Sequence, residues 1–470
     1  MRPNTQAGAA PDLADRRRQI VDLFASPRVL ILIIGVAVVL RLGSALFQGN
    51  VVADLPGIFD QQTYHKLAQR LIAGYGFSFA EDYWPATRAG EPTAHWSYLY
   101  TLYLAAVYAL VGVQPVVARI IQAVIVGVLH PWLAWRIGRR IFGPPTGLLA
   151  AAITAVYIYF VYYAGGLLTE PFYIVGILWA FDAAFRLLAH LQAAPDAASS
   201  GAPPRLWLEL GLALGLVTLL RQIFLLFVPF LFLWLWWNHP VLPDTARPAK
   251  ISRAARWPAL KGMVITGLII LLLMMPWTIR NYQAFGTFVP LNTNAGFAFF
   301  WGNHPIYGTR FIPILPADGP SYQDLIPADL KSLNEAELDR ALLRQGIQFV
   351  VTDPYRYLLL SISRIPEYFK FWPSPQSSTL SNISRVASFG LFLPFMLYGL
   401  WRSFFLVRKP GRRGQRQEII LLYLFIAIYT LLHLLTWTLI RYRLPVDAVL
   451  LIFAAYGLQH LAERLAGNRW

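Results

Sequence analysis

Asp60 opens the stretch Asp60-Gln61-Gln62-Thr63-Tyr64-His65-Lys66-Leu67-Ala68-Gln69-Arg70-Leu71-Ile72, and its carboxylate is the sharpest local candidate for chemistry. Tyr64, Leu67, Ala68, Leu71 and Ile72 fall at helical spacing, and Gly74 is placed to end the helix. Asp60 is then either an N-cap, a task Asp performs well, or a general base at the mouth of a membrane cavity. Asp54 is a second loop carboxylate, either solvated or next in line as base. Glu170, in Leu168-Thr169-Glu170-Pro171-Phe172, opens another helix with Pro at its start; it either caps that helix or lines a polar cavity, since an acid at membrane depth is costly. Arg221 interrupts the apolar run from Leu206 to Trp237 and needs a partner, a cavity or an anion. Arg441 and Arg443, in Arg441-Tyr442-Arg443-Leu444-Pro445, either snorkel or bind phosphate, whose geometry suits a guanidinium. His95, Trp96 and Tyr98 sit where the outer loop re-enters the membrane and read as belt aromatics. There is no His/Asp/Glu cluster at metal-ligand spacing, no phosphate-cradling glycine loop with its Lys, and no Gly-x-Ser-x-Gly.

The elements that must position these groups are membrane helices. Of 470 residues, 57% are hydrophobic and only 14% charged, against about 25% charged in soluble domains. The charges cluster between long apolar runs. The net charge of +16 sits in short blocks, Arg16 to Arg18, Arg139-Arg140, Lys250 to Arg256 and Arg408 to Arg416, which read as cytoplasmic anchors rather than as a nucleic-acid surface. The absence of cysteine excludes disulfides, thiolate metal sites and a Cys nucleophile.

The expected fold class is an all-α polytopic membrane protein of about 10–12 membrane helices with a mixed extracytoplasmic domain in a late loop. A cytoplasmic tail spans 1–28, an N-terminal transmembrane module 29–279 with a first outer loop at 49–96, the outer domain 280–385, and the C-terminal helices with a short tail 386–470. The run from Val29 lacks a small-residue cleavage site and reads as a retained span, with Arg41 snorkelling near its outer end. Parity of the basic blocks puts both large loops outside if 97–112 falls short of crossing and 206–237 crosses twice around Arg221; if instead 97–112 crosses and 206–237 is one span, Arg139-Arg140 also lies outside. The linker Ala193 to Pro204 is a flexible Pro/Ala/Ser segment without a functional signal. Ser332-Leu333-Asn334-Glu335 has capping-box spacing and predicts a helix over 333–351 that ends before Asp353-Pro354.

The order of these features resembles the GT-C membrane glycosyltransferases, in particular the branch of the protein O-mannosyltransferases and the lipid A aminoarabinose transferase. The resemblance rests on Asp60 and Tyr64 followed by Gly74-Tyr75-Gly76-Phe77-Ser78, and on Trp96 to Gly112. It extends over Leu168 to Phe172, Gly211 to Arg221, Pro276 to Tyr282 with Gly302-Asn303, and Arg441 to Pro445. Where many members carry Asp-Glu, this chain has Asp60-Gln61, and Ala94-His95-Trp96 replaces a Lys-Pro-Pro style re-entry. The resemblance implies an inverting transfer from a polyprenyl-phosphate-linked sugar to an extracytoplasmic lipid, glycan or protein acceptor. Asp60 would be the base, Arg443, Arg441, Arg280 and Arg221 the phosphate ligands in that order, and Tyr64 and His95 cavity or acceptor residues. It implies a multi-pass protein of a bacterial-type cell membrane with its active site on the extracytoplasmic face. No cofactor is expected, and the need for a divalent metal stays open. A transporter would show internal repeats, and none is visible; a polysaccharide polymerase or ligase would also use outer-face arginines but take a diphosphate-linked donor.

Overall fold

The computed structural model describes residues 27–53, 59–193, 202–238, 253–316, 318–375 and 377–465. Asp54, Arg16 to Arg18, most of the linker after Ala193 and the side chains of the Lys250 to Arg256 block lie outside the described residues. Among the described residues every regular element is helical, and only two isolated β-bridges occur. In chain order the helices are α1 (Pro27–Gln48), α2 (Asp60–Ile72), α3 (Tyr98–Val111), α4 (Pro115–Phe142), α5 (Pro144–Val156), α6 (Ile158–Gly165), α7 (Glu170–Ala193) and α8 (Pro204–Leu220). They continue with α9 (Val228–Asn238), α10 (Arg253–Phe285), α11 (Ala295–Asn303), α12 (Glu335–Thr352), α13 (Pro354–Tyr368), α14 (Thr379–Arg408), α15 (Arg413–Leu435) and α16 (Leu444–Leu465).

Seven of the described helices are long and apolar enough to cross a membrane, eight if α5 and α6 form one bent span. That is fewer than the 10–12 expected, for two local reasons. At 14 residues α3 is about 21 Å long at ~1.5 Å per residue, short of a ~30 Å core. The apolar run over 206–237 is broken at Arg221, where the backbone leaves the helix for an extended conformation before a short 3-10 turn and α9. The other boundary that moves is at residue 279: α10 runs on to Phe285, so Arg280 belongs to a helix and not to a loop.

Arg41 does not snorkel. It is fully buried and donates to the carbonyls of Ala37, Thr154 and Ala155. The chain bends by 52° between α5 and α6. A bend inside an apolar environment frees carbonyls from the helix ladder, and a buried guanidinium satisfies them. Close packing is set by small residues: at Gly127 on α4 a Cβ would lie 2.9 Å from the Val38 Cα on α1. At one end of the bundle, Arg136 and Arg186 share Asp182, Arg186 also meets Glu209, and Arg140 reaches Glu418, linking α4, α7, α8 and α15 by charge.

The segments between α2 and α3 and between α10 and α14 pack together. Their link is Glu335, buried at the start of α12, which accepts from Thr87 Oγ1 (2.8 Å), the Ala94 amide (2.7 Å) and Thr293 Oγ1 (2.6 Å). The helix expected over 333–351 is present as α12, but its capping box is Asn334 with Glu337, two residues later than expected. This shift leaves the Glu335 carboxylate free to join the two loops.

Candidate active site

A cavity of about 720 Å³ lies between the α2 end, the break after α8, and the loop before α16. Asp60 lines it as the first residue of α2. The N-cap position belongs to Phe59, and no side chain caps the helix. The Asp60 carboxylate is therefore not committed to backbone amides. Its Oδ2 accepts instead from Nη1 of Arg441, which sits in the 3-10 turn Ile440–Arg443.

Behind this pair lies a second one. Glu170, almost fully buried at the N-terminus of α7, accepts from Arg221 Nη2 at 2.6 Å, and Arg441 Nη1 stands 3.8 Å from the same oxygen. Arg221 Nε donates to Thr169 Oγ1 at 2.9 Å, and its guanidinium lies 5.4 Å from the Tyr442 ring and 5.7 Å from that of Tyr173. Asp60, Arg441, Glu170 and Arg221 thus form one alternating chain of two acids and two guanidiniums. Arg221 and Arg441 line the cavity; Glu170 stands behind them. The loop that presents Glu170 is pinned by two glutamines. Gln61 Oε1 accepts from the Leu167 amide and from Arg119, while Gln122 donates to the carbonyls of Ala164 and Gly166. Gln61 is thus a backbone clamp.

Tyr64 and His95 also line the cavity. His95 is packed edge-on against Trp84, Trp96 and Phe297. Burial pushes its imidazole down to about 4, against an upward pull from Glu335 and the Thr293 backbone, so at neutral pH it is uncharged. Its segment is held by amide side chains: Asn292 donates to the carbonyls of Ala94 and Trp96, Asn294 to that of His95, and Gln222 to Asn294.

Two of the four arginines expected to face a phosphate do not line the cavity. Arg443 is sealed on the far side of the 3-10 turn. It meets Asp447 at 2.9 Å, donates to the Tyr368 carbonyl at 2.7 Å, and stacks 3.4 Å over the Phe389 ring. A tight turn directs residues two apart to different sides, which separates it from Arg441. Arg280 donates to the carbonyls of Thr93 and Phe77 and to Tyr98 Oη, fastening the first loop to α10. Asp54 lies outside the described residues. Among the described residues no three His, Asp or Glu side chains converge as metal ligands.

Sequence reasoning missed Asp339, Gln222, Asn292, Asn294, Trp84, Trp301, Tyr322 and Trp437, all of which line the cavity. Gln222 was legible beside the charged break at Arg221; the tryptophans come from distant segments with no periodicity to join them.

No protein-family model matches the sequence, and no curated protein sequence matches it. Solved structures do. The archaeal oligosaccharyltransferase AglB from Archaeoglobus fulgidus, in complex with an inhibitory peptide and a dolichol-phosphate, superposes with a TM-score of 0.57 at 15% identity, over 94% of this chain and 51% of that one. Its apo form gives 0.56 at 15% identity over 94% and 52%. The chain shares the fold of this archaeal oligosaccharyltransferase. ArnT from Cupriavidus metallidurans bound to undecaprenyl phosphate is also similar, at 15% identity over 93% of this chain and 61% of that one, with a TM-score of 0.45. At these identities the likeness is one of fold, and the chain spans about half the length of AglB.

Proposed function

We propose that this protein is an inverting membrane glycosyltransferase of the GT-C class that takes its sugar from a polyprenyl-phosphate carrier. The observation that carries the proposal is the Asp60–Arg441 ion pair on the cavity wall, a carboxylate and a guanidinium in direct contact where a donor phosphate and an acceptor hydroxyl would meet. Asp60 takes the proton of the acceptor hydroxyl. The acceptor oxygen attacks the anomeric carbon, the bond from that carbon to the phosphate oxygen breaks, and polyprenyl phosphate leaves as an anion held by Arg441 and Arg221. Cations fixed in place before the reaction stabilise the departing charge without reorganisation.

The pairing adds an order to the steps. Arg441 cannot give its full strength to a phosphate while it holds Asp60, and the Asp60 oxygen bonded to Arg441 is not open to an acceptor proton. A donor phosphate that engages Arg441 releases Asp60 as base, so activation follows donor binding. Asp60→Asn removes the competing anion. It should abolish transfer while leaving binding of undecaprenyl phosphate equal or tighter; retained transfer overturns the assignment of the base.

AglB and ArnT were solved with dolichol-phosphate and undecaprenyl phosphate respectively, which agrees with a carrier of this class. We place the site on the extracytoplasmic face, on the positive-inside distribution of the basic blocks. Ala89 and Ser332 are exposed in the two loop segments. In a chain without native cysteine, Ala89→Cys and Ser332→Cys should both react with a membrane-impermeant thiol reagent in intact cells; protection of both would put the site inside.

A further inference from the structure

The cavity has a second wall that the transfer chemistry does not use. Six rings line it in unbroken succession. Tyr64 lies 6.0 Å from Trp96, Trp96 5.8 Å from Trp84, Trp84 5.4 Å from Trp301, Trp301 5.4 Å from Tyr322, and Tyr322 5.2 Å from Trp437. The succession starts one helical turn after Asp60 and ends four residues before Arg441. Rings and ion pair line the same cavity. Trp84 and Trp301 are near-parallel, at 26°, while the pairs Trp84–Trp96 and Tyr322–Trp437 are tilted at 51° and 60°.

Several polar atoms of this wall are bonded within the protein, while Trp96 Nε1 and His95 Nδ1 are buried without a partner among the described residues. Trp301 Nε1 donates to the Tyr322 carbonyl, Tyr322 Oη to the Pro313 carbonyl, and the amides of Asn292 and Asn294 to the backbone beside His95. These bonds hold the ring planes still. Asp339 Oδ1 accepts from the Gly296 and Phe297 amides at 2.8 and 3.2 Å, and the carboxyl lines the cavity with no hydrogen bond to Oδ2 among the described residues.

Ring faces with one carboxyl beside them suit a particular chemistry. A pyranose presents a face of C–H bonds that packs on an aromatic plane and a rim of hydroxyls that bonds a carboxyl or carboxylate. An extended peptide would instead seek a strand edge for its backbone groups, and no strand is present among the described residues. The volume of about 720 Å³ lies within the ~300–1,000 Å³ of small-ligand sites, room for a donor sugar and a second ring.

We infer that the acceptor is a glycan, its terminal sugar stacked on the Trp84–Trp301 platform with a hydroxyl on Asp339, so that an adjacent hydroxyl faces Asp60. This rests on the transferase reading and names its acceptor class. The residues are specificity determinants, and Asp60 remains the base.

The test uses the full chain in lipid nanodiscs and three probes: a panel of neutral hexose disaccharides, a short peptide bearing Ser and Thr, and undecaprenyl phosphate. Binding is read by saturation-transfer NMR for the first two and by calorimetry for the third. At least one disaccharide should bind, with saturation strongest on the C–H protons of one ring face. Trp301→Ala should weaken it about ten-fold, the size of one aromatic contact, while Trp301→Phe stays near the wild-type value. Asp339→Asn keeps an oxygen for the Gly296 and Phe297 amides and should weaken the sugar alone. Undecaprenyl phosphate should bind all three variants equally, which shows that they are folded. Binding of undecaprenyl phosphate without any disaccharide, or a peptide displaced by Trp301→Ala, overturns the glycan acceptor and leaves the transferase standing. A disaccharide bound without undecaprenyl phosphate keeps the glycan site and removes the polyprenyl donor.

Discussion

Two Asp–Arg pairs stand either side of one short turn. Arg441 pairs with Asp60 and Arg443 with Asp447, the arginines only two residues apart. Both pairs are shielded from solvent, yet their surroundings differ. Asp447 is closed in on both oxygens, Oδ1 by Arg443 and Oδ2 by Tyr157 Oη at 2.9 Å, and both of its partners are buried. Asp60 has one oxygen on Arg441, and both residues border the cavity. The difference teaches that pairing does not mark a functional residue; access to a ligand's space does. The first pair can exchange partners when an anion arrives, whereas the second can only be broken.

This contrast can be tested by breaking each pair in turn. The largest expected effect is on transfer by Asp60→Asn, which should fall at least ~10²-fold, the lower end of what a general base contributes, with the fold intact. A thermal unfolding profile beside the activity assay separates the two. Next comes Arg443→Ala, which leaves Asp447 charged and unpaired in the bundle. Breaking one partner of a buried pair costs ~3–5 kcal/mol, so the variant should lose thermal stability or accumulate poorly. A stable Arg443→Ala that only loses donor affinity would return Arg443 to the phosphate site. Arg441→Ala should leave the fold intact, since Asp60 faces the cavity and can be solvated, and should weaken undecaprenyl phosphate binding by about ten-fold or more, the scale of a charge-assisted bond.

The smallest effect concerns pH. Burial raises the Asp339 carboxyl to about 7, with Glu335 pushing the same way and Arg340 and the Gly296 and Phe297 amides pulling down. An unfolded Asp releases its proton near ~3.9. The folded chain therefore binds more protons than the unfolded chain between these values, and stability falls as pH rises through that interval. Asp339→Asn should flatten this slope in melts between pH 5 and 8. An unchanged slope would show that the Asp339 carboxyl is not held protonated by burial.

Much of the scaffold was legible because it follows from periodicity and punctuation. The bounds of α2, the helix start at Glu170, the break at Arg221 and α12 before Asp353 all came from spacing, capping residues or a charge in an apolar run. The site was legible only in part. Asp60, Tyr64, His95, Arg221 and Arg441 meet at one cavity, but nothing in the order Arg441-Tyr442-Arg443 says which guanidinium turns inward, since that depends on how the 3-10 turn seats against α13 and α14. Arg280 was placed in the outer domain because the apolar run stops at Ile279, whereas α10 continues to Phe285 and spends this arginine on carbonyls. The ring wall was invisible for a different reason. Trp84 and Trp301 are brought together by Glu335 and by the fold of the two loops, and no local pattern encodes a contact across more than two hundred residues.

The most direct test of the exchange at Arg441 is calorimetric binding of undecaprenyl phosphate to the wild type, Asp60→Asn and Arg441→Ala side by side in nanodiscs. If Asp60 and the phosphate compete for one guanidinium, Asp60→Asn binds the lipid as tightly as the wild type or more tightly, and Arg441→Ala binds it weakly. If Asp60→Asn binds as weakly as Arg441→Ala, the carboxylate supports the donor site instead of competing with it, and Asp60 is not a base freed by the donor.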